Sequence, residues 1–148
     1  MNDDVYDIYI RAGDGADYAN PDQQLVACRA LGANRVLGTE GHVWIDLDDD
    51  NRDGWAGLME RLGSGSIAGF ITWRFGQMTA GVGDADELQI AVAKSNRRGG
   101  LWALSEDPGM FGRAVDLNKP LERMHVTNHM FAVHLAKELD EARRQLRL

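Results

Sequence analysis

The spacing of apolar and polar positions changes several times along the chain, and each change marks an element. Val5 to Ile10, "VYDIYI", alternates with a period of two and predicts a first strand, closed by the turn-rich "AGDGADYANPD". Pro21 with Asp22 beside it fits a helix start, and "DQQLVACRALGA" predicts a helix that stops near Gly32. "RVLG" (35–38) and "HVWIDL" (42–47), rich in β-branched and aromatic residues, are expected as two short strands. "DDDNRDG" reads as a polar loop and "WAGLMERLG" as a helix closed by Gly63. "SIAGFITW" (66–73) has the continuous apolar run of a buried strand. A helix is expected over 84–99 and a further strand over "LWALSE" (101–106). From Leu117 onward the pattern is that of one long helix, whose first turn accommodates Pro120. Strands alternating with helices predict an α/β fold with a mainly parallel central sheet flanked by helices. The expected organisation is one domain over 1–148, with the α/β core in about 1–110 and the long helix in about 117–147.

The long helix carries more apolar positions than one sheet can cover. Leu117, Leu121, Met124, Asn128, Phe131 and Leu135 fall at alternating steps of four and three, and Leu139, Ala142 and Leu146 continue after a small shift. This is a coiled-coil-like seam with one polar position, Asn128. A second apolar set, including Met130 and Val133, borders it. So broad an apolar arc calls for two partners, the helix's own sheet and another chain, and predicts a dimerisation helix.

Composition narrows the setting. The chain has 148 residues, enough for one core, and its hydrophobic content of 44 % is ordinary for a globular protein. Its one cysteine, Cys28, excludes an internal disulfide and fits a reducing compartment. No apolar run has the length of a membrane span, and "MNDDVYDIYI" has acids where a secretory signal has bases, so the expected location is the cytoplasm. The formal net charge of −7, from 16 basic and 23 acidic residues, opposes binding to a phosphate backbone.

Four local patterns are candidates for chemistry. "DDNRDGWAGLME" fits the EF-hand expression, with Asp49, Asn51, Asp53, Gly54 and Glu60 in the positions that gather oxygens around calcium and make the sharp turn. Position eight is Ala56, the preceding segment reads as a strand, and there is no second loop, so the competing reading is an acidic turn that caps the next helix. His125 and His129 are four apart on one helix face, with Glu122 and His134 nearby, but Val126 stands where a zinc-protease helix has its glutamate. They read as surface or interface histidines, and no metal is expected. "GDGAD" at 13–17 lacks both the third glycine of a dinucleotide fingerprint and the Gly-Lys-Ser/Thr of a P-loop. Cys28 reads as a small packed side chain.

Taken in order, the segments resemble the catalytic domain of the serine recombinases, the resolvase/invertase family. The family's first strand carries Tyr-x-Arg-x-Ser, and "YIRAG" supplies Tyr9 and Arg11. "NPDQQLVACRA" supplies Gln24, Ala27, Cys28 and Arg29 of its first helix. Asp46 follows an aromatic strand, and Arg52 opens the Arg-x-Gly before a Leu-rich helix. From Arg52 to Ala80 the chain runs without a gap against a pattern ending in Lys/Arg-Leu-Asp-Arg-Leu-Ser-Arg. The resemblance implies a resolvase-like fold whose last long helix is the dimer helix, with Leu121, Met124, Asn128, Phe131 and Leu135 at the interface. It also implies a degenerate site. Gly13 stands at the place of the nucleophilic serine, and Gly76, Gln77 and Ala80 stand where an Asp and two Arg would orient and neutralise the phosphate. Arg11, Gln24 and Arg52 remain of the family's set. Phosphoryl transfer needs a nucleophile and cations on the equatorial oxygens, so catalysis is not expected.

The function these residues imply is therefore that of a pseudo-resolvase, a dimerising interaction domain without cofactor and without an appended DNA-binding domain. It would be a homodimer, or a heteromer with an active recombinase or another DNA-bound protein, with weak or no DNA binding of its own and no membrane partner. Two alternatives stand beside it. One is an enzyme with altered phosphate chemistry around Arg11, Arg52 and Arg74; the other is a calcium-binding module through Asp49, Asn51, Asp53 and Glu60.

Overall fold

A computed structural model describes residues 4–12, 20–35, 38–48, 51–78, 83–95, 97, 100–106 and 114–147. In chain order the elements are strand β1 (Val5–Arg11), helix α1 (Pro21–Arg35), strand β2 (Thr39–Asp46), helix α2 (Asp53–Gly63), strand β3 (Gly69–Thr72) and a 3₁₀ turn (Phe75–Gln77). Helix α3 (Gly83–Lys94), strands β4 (Trp102–Leu104) and β5 (Val115–Asp116) and helix α4 (Pro120–Leu146) follow. The sheet is five-stranded, ordered β2-β1-β3-β4-β5, with β5 antiparallel to β4 and the other pairs parallel. The expected mainly parallel α/β sheet is present. The final helix starts at Pro120, whose missing N–H costs nothing in a first turn.

Helices cover both faces of the sheet, which is why its central strands read as near-continuous apolar runs. On one face Tyr6, Ile8, Ile10, Ile71 and Leu104 pack with Cys28 of α1. On the other, Tyr9 and Phe70 join Trp55, Leu58 and Leu62 of α2, Leu88 of α3, and Val126 and Met130 of α4. Phe70 and Ile71, adjacent in β3, fall in different clusters, as the two-residue period of a strand requires.

β1 is buried more completely than its alternation implied. Asp7, in mid-strand, is fully buried, and Arg61 of α2 donates to both its oxygens, at 2.7 and 3.2 Å. The His42 amide N–H (2.9 Å) and the Trp44 indole N–H (3.0 Å) complete its shell. This carboxylate sits in a β-bulge. Tyr6 pairs with Glu40 but Ile8 with Val43, so β2 advances three residues while β1 advances two.

Several boundaries differ from the sequence reading. Of the expected strand "RVLG", Arg35 instead ends α1 and Gly38, at φ 126°, is in the left-handed region before β2, while residues 36 and 37 lie outside the described residues. α3 ends at Lys94 rather than running to residue 99. β5 was not anticipated. Leu117 lies before α4, fully buried in the core, and so does not belong to the helical seam. Among the described residues no helix is long and apolar enough to cross a membrane.

Candidate functional site

Parallel α/β sheets place their sites at the carboxyl ends of the strands, and the residues singled out from the sequence converge there. Asp46 closes β2, in register with Arg11 at the end of β1. Its carboxylate accepts the Tyr9 hydroxyl at 2.6 Å and the amide N–H groups of Gly54 and Trp55 at 2.8 and 3.0 Å. It therefore caps the start of α2, where the helix dipole favours a negative charge. Burial first, and then the bond to Asp46, push the Tyr9 pKa above its ordinary value.

Arg52, the residue before α2, is turned into this structure. Its guanidinium donates to Asp84 at 2.8 Å and to the Met78 carbonyl at 2.9 Å, with Nε 3.5 Å from Asp46. It also lies 5.3 Å from the centre of the Trp55 ring, whose indole N–H donates to Glu87 at 2.9 Å. A guanidinium paired this way is largely neutralised and fixes the start of α2 to that of α3. Gln24 is likewise in structural use, its buried amide donating to the Arg11 carbonyl at 3.0 Å and tying α1 to the end of β1. Arg11 itself is 5 % exposed.

Past β3, α4 passes directly over the 3₁₀ turn. Gly76 is buried, and a Cβ built on it would stand 2.5 Å from Val133 Cγ2, 3.1 Å from Val133 Cβ and 3.3 Å from His129 Nε2. There is no room for a side chain here, so an acid at this position is excluded while α4 is docked. Phe75 and Met78, on either side, are 1 % exposed and anchor the turn in the core. Gln77 lies in the turn. Gly13, Ala80 and Thr79 are outside the described residues. Ser64 and Ser66 hydrogen-bond to each other at 2.7 Å in the connection leading into β3, at the opposite end of the sheet.

Among the described residues, the segment of the calcium alternative is a turn leading into a helix. Helix α2 begins at Asp53, so Glu60 is seven residues further on, about 10 Å along the axis at 1.5 Å per residue. Asn51 instead accepts the Asp53 N–H at 3.0 Å, and Asp48 accepts the Asn51 N–H at 2.9 Å, a turn leading into the helix. Asp49 is outside the described residues. His125 is exposed, His129 faces the Gly76 turn, and His134 is 3.2 Å from Glu138. Among the described residues no three His, Cys, Asp or Glu side chains gather where they could hold a metal ion. Cys28 is fully buried, and burial, reinforced by the charge of Glu106, pushes its thiol up to about 12.

The helical seam is open. Leu121 is 76 % exposed, Phe131 42 % and Leu135 48 %, and Met124 and Asn128 are exposed beside them, while Val126 and Met130 face the core. The sequence pattern did not reveal Asp84 and Trp55 as partners of Arg52. They are respectively 32 and three positions away in the chain, and a lone acid in a helix's first turn has the look of a cap.

No family model matches the chain, and no curated protein does. Among solved structures it is similar to the N-terminal catalytic domain of the TP901-1 integrase, at a TM-score of 0.51 and 9 % sequence identity. The match covers 96 % of this chain and 99 % of that one. At that identity the likeness is one of fold, and it agrees with the recombinase-like fold that the order of motifs implied.

Proposed function

We propose that a domain with this recombinase-like fold acts as a non-catalytic, dimerising partner in a DNA transaction rather than as a recombinase. The observation that carries the reading is the state of the strand-end loop. At Gly76, where the resemblance calls for a phosphate-orienting acid, Val133 of α4 occupies the space a side chain would need. Arg52, a retained position, is consumed by Asp84 and the Met78 carbonyl. Glycine at position 13 offers no nucleophile.

The free face of α4 supports the dimerising half of the proposal. A row of exposed Leu, Met and Phe side chains on one helix marks an interaction surface. The second chain is a further copy or an active recombinase with a matching helix. The net charge of −7 favours reaching DNA through that partner over binding it directly.

The test is incubation with supercoiled DNA followed by denaturation and a search for protein covalently attached to DNA. Neither the natural chain nor Gly13→Ser is expected to give an adduct, since a restored hydroxyl would still lack the cations of the phosphate clamp. A denaturation-resistant adduct formed by the natural chain would overturn the proposal.

A further inference from the structure

Helix α4 runs the height of the sheet and then leaves it. It starts at the amino end of the strands, where the Leu117 N–H donates to the Leu101 carbonyl at 2.9 Å, just before β4. By His129 and Val133 it has reached the Gly76 turn, past the carboxyl end of β3. From Leu135 to Arg147 every residue is exposed, so about 18 Å of helix, at 1.5 Å per residue, is left uncovered by its own domain. One face of this end joins apolar surface to positive charge. Leu139, Arg143 and Leu146 fall at steps of four and three and so share a face, with Arg147 one turn beyond Arg143. Leu146 is 87 % exposed.

A surface of matching character lies at the other end of the domain. α2 and α3 run side by side in one direction: Arg52 meets Asp84 at their starts, and Gly63 lies against Ala91 and Lys94 at their ends. Between their second halves is a groove of about 460 Å³, within the range of recognition pockets, about 300–1,000 Å³. Its floor is Met59, Gly63 and Ala91, kept low by a glycine and an alanine that face each other, and Ile90 stands half-exposed at its rim. Glu60 and Glu87 line it with two carboxylates, the second held by the Trp55 indole, against the ammonium of Lys94. Both helices also end here, and each end adds a partial negative charge.

The groove suits a segment that is apolar and basic at once, and the free end of α4 has that chemistry. A continuous helix does not fold back onto its own domain, and the groove opens at the end of the sheet where α4 begins, not where it leaves. Two copies whose α4 helices pair antiparallel carry each tail past the start of the partner helix, toward that end of the partner's sheet.

We infer that the last turns of α4, Leu139 to Arg147, seat in the α2–α3 groove of a second copy, leucine against Met59 and Ala91 and arginine toward Glu60 and Glu87. This rests on the dimerising role proposed above and adds to it the direction of pairing and a second contact surface. The contact is made twice across a two-fold axis, so it closes on two chains.

Cysteine cross-linking of the full-length chain tests it. Under mild oxidation, Ile90→Cys mixed with Leu146→Cys should give a disulfide-linked pair of the two variants. Ile90→Cys alone should not, nor should Val26→Cys, on α1 across the sheet, mixed with Leu146→Cys. Cys28 stays out of the reaction because it is fully buried. In sedimentation, Glu60→Lys and Arg143→Glu should each weaken the dimer by about fivefold, as expected when a surface ion pair is lost at two symmetric places. An equal mixture of these two variants should recover most of the natural affinity, because each tail then meets the opposite charge. Circular dichroism shows that every variant has folded. A natural dimer that gives no link between positions 90 and 146 overturns the inference. So does Leu135→Cys linking to its own copy, the mark of a parallel pair held by the seam, and so does a mixture no tighter than its separate variants. The dimerising role survives each of these results, whereas a natural chain that sediments as a monomer removes both.

Discussion

Putting even a methyl group at position 76 should cost the protein measurable stability. The built Cβ stands 2.5 Å from Val133 Cγ2, whereas carbon atoms settle at about 3.5–4.0 Å. Roughly 1 Å of separation must therefore be found by moving α4 or the turn. Val133 cannot supply it by rotating, because a β-branched side chain on a helix has essentially one rotamer. The turn is held by Phe75 and Met78, each 1 % exposed, and α4 by Val126 and Met130 in the core. Overpacking of this kind costs about 1–3 kcal/mol. For a domain near this size that lowers the melting temperature by roughly 2–12 °C, at about 2–4 °C per kcal/mol. Gly76→Asp should cost more, because a charge is buried as well. Denaturant unfolding of Gly76→Ala, Val133→Ala and the double variant gives the coupling directly. In the Val133→Ala background the alanine at 76 should cost about 1 kcal/mol less than in the natural chain. An unfolding midpoint for Gly76→Ala equal to that of the natural chain would refute the close approach, and with it the reason given for glycine there.

Three further outcomes are expected. Sedimentation should show the natural chain as a dimer at micromolar concentration and Phe131→Asp as a monomer or aggregate, because a charge in the seam must be desolvated without a partner. Natural protein that sediments as a clean monomer would leave the seam to a different protein. Asp7→Ala should lose about 3 kcal/mol in urea unfolding, the low end for breaking a buried pair, since Arg61 keeps 24 % of its side chain in solvent. Tyr9 stays protonated in the folded state at pH values where the unfolded chain, with its ordinary pKa of 10.0, loses the proton. The unfolded state then binds fewer protons, so stability should fall above that pH by about 1.4 kcal/mol per pH unit per buried tyrosine. Unfolding midpoints on either side of it, compared with Tyr9→Phe, separate this residue from Tyr6, whose pKa burial also raises.

The parts of the fold legible in the sequence are those set by local periodicity. The amphipathic α2, the apolar β3 and the seam of α4 all follow from spacing that a neighbouring sheet or chain would impose. The misses are residues whose state is set by something distant in sequence. "RVLG" has strand-like side chains, yet α1 claims Arg35 and Gly38 turns the chain. Leu117 fits the heptad by count, but Pro120 opens the helix after it, and its side chain goes into the core. Asp7 alternates like a solvent-facing residue and is instead buried, because Arg61, 54 positions away, comes to meet it. The candidate site was legible as a set of positions, through the order of motifs. That Arg52 is occupied and Gly76 covered was not, since both depend on where α3 and α4 return to the strand ends.

The bulge around Asp7 has a consequence for how these molecules meet one another. β2 is an outer strand of the sheet, and with Ile45 at 46 % and Leu47 at 68 % exposed it offers an unprotected side to any passing extended chain. Outer strands of this kind tend to recruit further strands and grow into fibrous aggregates. Here the extra residue draws the His42 amide inward to Asp7 and interrupts the regular row of backbone donors that an incoming strand would have to match. At the opposite border β5 is only two residues long, too short to template a neighbour. With both borders discouraged, the pairing proposed for α4 would rest on side chains alone and could close on two chains, where a sheet border would allow endless addition.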